Sequence, residues 1–378
     1  MKKILLIFGT RPEAIKFAPL YWEFKKYDSI FNTKVCVTAQ HRQMLDQVLD
    51  FFGIFPEYDL NLMKTNQTLF DITTNCLKEI EKVFDDFKPD MIFVQGDTTS
   101  AFVGALAAFY KKIQISHVEA GLRSHNKYSP FPEEINRVLV GRLADYHWAP
   151  TRLAKKNLFS EGIKKNVFIV GNTVIDALWM GLKKIEKDDK LRNDIQSFFN
   201  SKICFQDDKK ILLVTGHRRE SFGIGFENIC LALKDIALKY KDFSIVYPVH
   251  LNPNVREPVN RILGNINNVY LLEPLDYPYL IWLLSKSYLV LTDSGGIQEE
   301  APSLGKPVLV MREVTERTEG IEAGTAMLVG TEKKNIVDSV SLLIENKKRY
   351  ETMSKAINPY GDGKASKKIV KKLTKILD

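Results

Sequence analysis

Cysteine is scarce in this chain, and its four cysteines are far apart in the sequence. They form no Cys-x-x-Cys pair, and no histidine and carboxylate residues have the spacing of a metal-ligand set. A disulfide framework and a zinc site both depend on such spacing. We therefore expect a reduced, cytoplasmic protein that holds no metal. The cysteines are Cys36, Cys76, Cys204 and Cys230.

Long apolar runs are also missing. No stretch approaches the roughly 20 apolar residues that a membrane-spanning helix needs. The apolar run at 4–8 is too short for a signal peptide, and Arg11 and Glu13 follow it closely, so we interpret it as a first buried strand. We expect no membrane partner.

The glycine motifs of common cofactor enzymes are absent as well. The first predicted strand is not followed by Gly-x-Gly-x-x-Gly, and the chain has neither a Gly-x-Ser-x-Gly elbow nor a P-loop. These absences argue against a dinucleotide enzyme. We expect no cofactor.

Positive charge is in excess, with a net charge of +8 over 378 residues. The lysines are dispersed except at 364–375, where Ile369, Leu373 and Ile376 recur at helical spacing. That segment predicts a docking helix with a solvated lysine face. We therefore expect no nucleic-acid partner, and the excess charge suits an anionic metabolite.

Short β-rich runs alternate with helical segments in two series, a pattern typical of parallel, doubly wound sheets. The charged segment 183–192 separates the two series. We predict an α/β fold with two Rossmann-like domains facing a central cleft. The first series has strands at 3–8, 34–38, 91–94, 114–118 and 167–170, with helices at 12–24, 41–52, 69–87, 98–110 and 151–160. The second series has strands at 211–215, 244–249, 269–272, 288–292 and 307–310.

The turn at Ser294, Gly295 and Gly296 follows a predicted strand directly, and a short helix is expected to begin near Gly296. Two glycines let the backbone approach a bulky anion, and a helix N-terminus favours phosphate. Glu299 and Glu300 follow, where a carboxylate can accept hydrogen bonds from sugar hydroxyls. The stretch indicates a nucleotide or nucleotide-sugar site, with an ordinary strand–helix turn as the alternative.

Polar or glycine residues follow six predicted strands, drawn from both halves of the chain. Ligands of such sheets bind outside the carboxyl ends of the strands, so we expect these residues to line one site. The N-terminal half supplies the acids Asp97, Glu119, Glu133 and Glu134 and the cations Arg11, Lys16, Arg123 and Arg137. The C-terminal half supplies His217, Arg218, Arg219, His250, Ser294, Gly295, Gly296 and Arg317.

Several acids around one sugar ring suit general acid–base chemistry, and the cations suit a departing diphosphate. Structural roles are the alternatives. Asp97 could cap the helix that begins near Thr98, and Glu133 and Glu134 could favour a helix N-terminus. His117 could be a satisfied core residue.

The order of these motifs along the chain resembles that of the non-hydrolysing UDP-N-acetylglucosamine 2-epimerases, from about Lys3 to the last helix. The resemblance implies a GT-B-like fold and a homodimer. It implies domains at 1–172 and 173–359, with a last helix at 360–378 that returns to the first domain. The motifs lie at 8–16, 96–99, 117–123, 129–137, 171–173, 216–221 and 293–300.

The implied reaction interconverts UDP-GlcNAc and UDP-ManNAc, supplying ManNAc for cell-surface polysaccharide. UDP is eliminated to give 2-acetamidoglucal and then added back. The first domain would hold the sugar and the acid–base groups, and the second would hold UDP. A hydrolysing 2-epimerase, a GT-B glycosyltransferase and a non-enzymatic UDP-sugar sensor are the rival interpretations.

The resemblance also implies roles for individual residues, position by position. The expected catalytic residues are Asp97, Glu119, Glu133 and His217. The expected substrate-binding residues are Arg11, Lys16, Arg137, Ser294, Gly295, Gly296, Glu300 and Arg317, and His250 joins them because of its place after a predicted strand.

The chain departs from the family pattern at a few positions. Gln95 replaces a common histidine, from which we expect altered tuning of Asp97. Asn66 replaces an arginine of an activator site for a second UDP-GlcNAc, so we expect weakened activation. Leu280, with Tyr279 beside it, falls where an aromatic residue is expected near the uracil. Partial matches to the activator site are Gln40, His41 and Gln43.

Overall fold

The computed structural model of the protein describes residues 1–38, 42–62, 67–203 and 209–377. The chain divides into two compact units. The first unit comprises Met1–Met180 together with Tyr360–Asp378, and the second comprises Gly181–Pro359.

Each unit contains a parallel sheet, and the strands are numbered along the whole chain. The strands of the first unit are β1 (Lys2–Phe8), β2 (Phe31–Val37), β3 (Tyr58–Asp59), β4 (Met91–Gln95), β5 (Gln114–Val118), β6 (Tyr146–Ala149) and β7 (Val167–Ile169). Those of the second are β8 (Lys210–Thr215), β9 (Phe243–Pro248), β10 (Val269–Leu272), β11 (Leu289–Thr292), β12 (Val308–Val310) and β13 (Ala326–Leu328).

The helices alternate with the strands. In the first half of the chain they are α1 (Arg11–Lys25), α2 (Arg42–Phe52), α3 (Leu69–Phe87), α4 (Thr99–Tyr110), α5 (Glu133–Leu143), α6 (Arg152–Ser160) and α7 (Thr173–Lys187). In the second half they are α8 (Asp189–Lys202), α9 (Ile224–Lys239), α10 (Pro253–Leu263), α11 (Tyr277–Lys286), α12 (Gly295–Glu300), α13 (Thr318–Glu322), α14 (Lys333–Glu345), α15 (Lys347–Ser354) and α16 (Ala365–Leu377).

The strand order places the predicted site residues on neighbouring strands. Within the described residues, the first sheet has the order β3-β2-β1-β4-β5-β6-β7, and the second has the order β10-β9-β8-β11-β12-β13. The turns that follow β1, β4 and β5 therefore meet at one edge of the first sheet. The turns that follow β9, β8 and β11 meet likewise in the second.

The central strands are continuous apolar runs because helices cover both faces of each sheet. In β1 the side chains of Ile4, Leu5, Leu6 and Ile7 are inaccessible to solvent. Leu212, Val214 and Leu291 belong to the corresponding core of the second unit.

The last helix belongs to the first unit. Asp176 of α7 accepts hydrogen bonds from the N–H groups of Ala365 (3.1 Å) and Ser366 (2.8 Å), which begin α16. The N–H of Asn172 donates to the carbonyl of Tyr360 at 2.6 Å. Gly171 and Gly361 pass so closely that a Cβ on Gly171 would lie 3.2 Å from the Cα of Gly361. These contacts fix the returning chain to the loop before α7.

The predicted elements agree closely with the observed ones. The strand at 114–118, the strand at 269–272 and the helix at 69–87 are reproduced without change, and the other predicted elements differ by a few residues at their ends. The short edge strand β3 and the strands β6 and β13 were not predicted. The charged segment 183–192 forms the end of α7 and the start of α8. Among the described helices, none has the length and apolar content that a bilayer crossing requires.

Two buried histidines lie on adjacent strands of the first sheet. His117 on β5 pairs in register with His147 on β6, and both side chains are buried. Burial lowers the pKa of His117 to about 3 and that of His147 to about 4. Both imidazoles are therefore neutral in the folded protein at neutral pH.

We expect the free energy of unfolding to fall as the pH is lowered from about 6.5 to 4, since the unfolded chain takes up protons that the folded chain rejects. His147→Gln should flatten this dependence by up to about 1.4 kcal/mol per pH unit. Urea titrations at several pH values would measure it, with the exposed His125→Gln as the control. If the free energy of unfolding of His147→Gln depends on pH as steeply as that of the unsubstituted protein, His147 does not have the lowered pKa given above.

Candidate active site

Glu119 follows β5 and is held both by its backbone conformation and by neighbouring side chains. Its backbone is in the left-handed region with φ of +63°, a conformation that residues other than glycine seldom adopt. Its Oε2 forms an ion pair with the ammonium of Lys16 on α1. The same oxygen accepts hydrogen bonds from the amides of Gln95 (2.7 Å) and Asn172 (3.4 Å).

Gln95 is therefore a partner of Glu119. We expected it to tune Asp97, but the structure places its side-chain amide on the carboxylate of the next strand. Adjacent parallel strands explain this placement, because Gln95 ends β4 directly beside Val118 of β5.

Asp97 follows β4 and forms an ion pair with Arg137 of α5. Thr98, and not Asp97, caps the N-terminus of α4. The Thr98 hydroxyl accepts a hydrogen bond from the N–H of Ala101 at 3.1 Å. The Asp97 carbonyl also accepts a bond from the Asn136 side chain at 3.0 Å. Asp97 is thus held by α5 through both its side chain and its main chain.

The two adjacent acids of α5 differ in their surroundings. Glu133 is the first residue of the helix and is half-buried. Glu134 is buried, and it accepts hydrogen bonds from the N–H groups of Ser124 (2.9 Å) and His125 (3.0 Å) and from Arg137 (3.2 Å). Glu134 therefore holds the loop before α5 in place, and a structural role accounts for it.

Arg123 also has a structural role. Its guanidinium contacts both carboxylate oxygens of Glu161, at 2.6 and 2.8 Å, and its side chain is only 1% exposed. We expected Arg123 among the cations of the site, but its charge is compensated by this bidentate ion pair with Glu161. His117 is likewise a core residue, and its Nε2 lies 2.8 Å from the carbonyl of Gly96.

Sequence reasoning did not identify Glu13 as a site residue, although it supports the turn after β1. Its Oε2 accepts hydrogen bonds from the N–H groups of Gly9 (3.0 Å) and Thr10 (2.8 Å), and its Oε1 accepts one from the Thr98 hydroxyl (2.6 Å). It therefore connects the turn that carries Arg11 to the turn that carries Asp97. Burial raises the pKa of Glu13 above its usual value.

In the second unit, Asp293 holds two neighbouring turns together. Its Oδ2 accepts hydrogen bonds from the N–H groups of His217 (2.6 Å) and Arg218 (2.8 Å). The His217 imidazole is 44% exposed and stacks on His250, with 5.1 Å between the ring centroids. Partial burial, and then the nearby His217, lower the pKa of His250. Asp293 was also missed, although its position between a strand end and the Ser-Gly-Gly turn was a usable signal.

The glycine turn begins α12 as predicted, with Ser294 as the residue before the helix. Gly295 gives close access to a neighbouring cation, because a Cβ would lie 3.1 Å from the guanidinium carbon of Arg317, closer than most Cβ contacts. Arg317 itself pairs with Glu299 at 3.0 Å. Glu299 is only 1% exposed, so this ion pair replaces the sugar contact that we considered for it.

Glu300 and Tyr279 complete the second unit's predicted residues. Glu300 accepts a hydrogen bond from the Tyr277 hydroxyl at 3.0 Å. The Tyr279 ring packs against Phe198 of α8, with 5.0 Å between the centroids, so this aromatic residue supports helix packing.

Some predicted positions have no described geometry. Gln40, His41 and Asn66 lie outside the described residues, and of Gln43 only its place in α2 is described. The described residues include no group of three or more histidine, cysteine or carboxylate side chains arranged to hold a metal ion.

We expect Glu13→Leu to lower the free energy of unfolding by about 1–3 kcal/mol, because it leaves backbone donors without their acceptor. Glu13→Gln should cost less, since its amide oxygen can accept the two N–H groups and its NH₂ can donate to Thr98. Urea denaturation of both variants at one pH would compare them. Equal losses would show that the hydrogen bonds of Glu13 do not stabilise this turn.

Comparison with known proteins places these motifs in a family. The family model for UDP-N-acetylglucosamine 2-epimerase matches residues 25–374. The chain is 56% identical to the UDP-N-acetylglucosamine 2-epimerase of Campylobacter jejuni, covering 99% of this chain and 98% of that protein. It is 55% identical to the Escherichia coli K12 enzyme of the same name, over 98% of both chains.

A solved structure agrees with these relatives. The crystal structure of the UDP-GlcNAc 2-epimerase from Neisseria meningitidis bound to UDP-GlcNAc has a TM-score of 0.92 to this protein at 52% identity. The alignment covers 99% of this chain and all of that one. The expected α/β class with two Rossmann-like units is confirmed, and the chain belongs to the non-hydrolysing UDP-N-acetylglucosamine 2-epimerase family.

Proposed function

We propose that this protein inverts C2 of UDP-GlcNAc to give UDP-ManNAc, and the reverse, without a nicotinamide cofactor or a metal. One observation carries the proposal. In a chain of this family, the carboxylates of Asp97 and Glu119 follow the neighbouring strands β4 and β5, and each is paired with a cation. Carboxylates held in this way can exchange protons with a sugar carbon.

The proposed chemistry begins with removal of the C2 proton. The electron pair of the C2–H bond forms a C1–C2 double bond, and the C1–O bond breaks so that UDP departs with its electrons. This leaves 2-acetamidoglucal. UDP then adds back to C1 while a proton returns to the opposite face of C2. Asp97, Glu119 and Glu133 form the acid–base set in this proposal.

The cations have two proposed tasks. Lys16 and Arg137 lie against the acids, so they compensate negative charge on the sugar side. Arg11, His217 and His250 would contact the diphosphate, together with Ser294, Gly295 and Gly296, Glu300 would bind the ribose, and Arg317 would lie near the reacting sugar. Positive charge and N–H donors around a departing diphosphate lower the barrier to its release.

The biological setting follows from the same proposal. We expect a cytoplasmic homodimer whose product supplies ManNAc units to a cell-surface polysaccharide.

The reaction can be tested by proton NMR of UDP-GlcNAc in D₂O without NAD or added metal. We expect a mixture of UDP-GlcNAc and UDP-ManNAc with deuterium at C2, since the abstracted proton exchanges with solvent. Release of free ManNAc and UDP would indicate a hydrolysing enzyme, and an unchanged spectrum would indicate a sensor. Epimerisation without deuterium at C2 would contradict proton abstraction with solvent exchange.

The division of tasks can be tested by substitution. Glu119→Gln and Asp97→Asn should each lower turnover about 100-fold or more, in the range of general acid–base groups, while UDP affinity changes little. His217→Ala should weaken UDP binding.

Glu161→Gln is the matched control, because it alters a carboxylate of the first unit whose partner is the structural Arg123. It should affect stability and leave turnover intact. A Glu119→Gln protein that keeps its turnover and loses UDP affinity would show that the assignment of roles is wrong.

A further inference from the structure

The side chain of Gln95 has a single orientation that the fold explains. It is the last residue of β4 and is only 2% exposed, and its Nε2 donates to Glu119 Oε2 at 2.7 Å. A buried amide without a partner is costly, so this hydrogen bond determines where the side chain points.

The backbone of Glu119 is fixed independently of Gln95. The N–H of Gly96 donates to the carbonyl of Val118 at 3.0 Å, and the N–H of Ala120 donates to the carbonyl of Trp148 at 3.2 Å. These bonds flank Glu119 and hold it in its left-handed conformation. The side chain of Gln95 therefore bears on the orientation of the carboxylate and not on the path of the chain.

Three described side chains donate hydrogen bonds to the same oxygen of Glu119. Gln95 from β4, Lys16 from α1 and Asn172 from the loop before α7 direct N–H donors at Oε2. A carboxylate accepts such bonds best when it is ionised, because a proton on the same oxygen would displace a donor.

A further titratable group near Glu119 is His117 on β5. Its burial lowers its pKa to about 3, so it stays neutral and does not titrate near neutral pH. Lys16 is the cation that faces Glu119. The amide of Gln95 has no ionisation at all.

We propose that Gln95 is a positioning residue, which holds the carboxylate of Glu119 ionised and oriented as a proton acceptor. The inference rests on the proposed function, since it concerns the acid that the reaction uses. It assigns to Glu119 the acceptor role among the three acids, a choice that the family resemblance leaves open.

Two variants separate this role from a packing role. Gln95→Met keeps the length of the side chain and removes the donor. Gln95→Glu keeps its shape and places a second carboxylate against Glu119, where two like charges cannot both ionise easily. Asn268→Leu is the control, because Asn268 is a buried amide of the second unit that donates only to backbone carbonyls in the described structure.

We expect Gln95→Met to lower kcat/KM about 10-fold to 100-fold, as misplaced catalytic groups do, with UDP affinity nearly unchanged. The acid limb of its profile of kcat/KM against pH should move to higher pH, because Glu119 would take up a proton more easily. Gln95→Glu should move it further, so that its activity loss is larger at pH 6 than at pH 8.5. Asn268→Leu should lower stability and leave the pH profile in place.

The outcomes are distinguishable from a failure of the proposed function. If the unsubstituted protein forms no C2-deuterated UDP-ManNAc in D₂O, the proposed function itself is wrong. If it does, and Gln95→Met and Gln95→Glu both keep the pH profile of the unsubstituted protein, the positioning role is overturned. Circular dichroism would identify a variant that fails to fold, and the remaining variant then decides the result.

Discussion

Buried carboxylates hold two turns of the candidate site, the loop before α5 and the start of the last helix. Glu13, Glu134, Asp176 and Asp293 each accept hydrogen bonds from the N–H groups of two successive residues. Turns at the ends of parallel strands carry N–H groups that neither the sheet nor the next helix can pair, and leaving them unpaired inside a protein is costly. One carboxylate satisfies two such donors at once, so it fixes the turn and every side chain that the turn carries.

The acids assigned to chemistry have a different kind of partner. Asp97 and Glu119 are paired with the side chains of Arg137 and Lys16. A side-chain cation can rearrange as charge develops, whereas a backbone N–H cannot move without unfolding the turn. Arg137 belongs to both systems, since it contacts the backbone-holding Glu134 as well as Asp97. Arg137 therefore links a carboxylate that holds the backbone to an acid that is assigned to the chemistry.

Most of the fold could be predicted from the sequence because apolar runs and helical periodicity are local properties. The missed strands show the limit of that signal: β3 has only two residues, and β6 contains Tyr146, His147 and Trp148 in place of aliphatic residues. Site residues at strand ends were found because parallel topology brings those ends together.

The pairing of charges could not be predicted. Nothing in the local sequence shows that Arg123 faces Glu161, that Glu299 faces Arg317, or that Gln95 reaches the next strand instead of its neighbour Asp97. These partners are distant in sequence, and only the packed sheet selects among the available acids and cations. A family motif likewise identifies the positions of site residues, but it does not show which contacts each residue makes.

The return of α16 to the first unit has a consequence for synthesis at the ribosome. Residues 1–180 are synthesised before the second unit, but the helix that covers part of α1 follows the second unit in the chain. Until then the side chains that pack against Ile369, Val370 and Leu373 are not covered by α16. Asp176 also lacks the N–H groups that donate hydrogen bonds to it. The first unit is therefore completed only after the second unit has been synthesised.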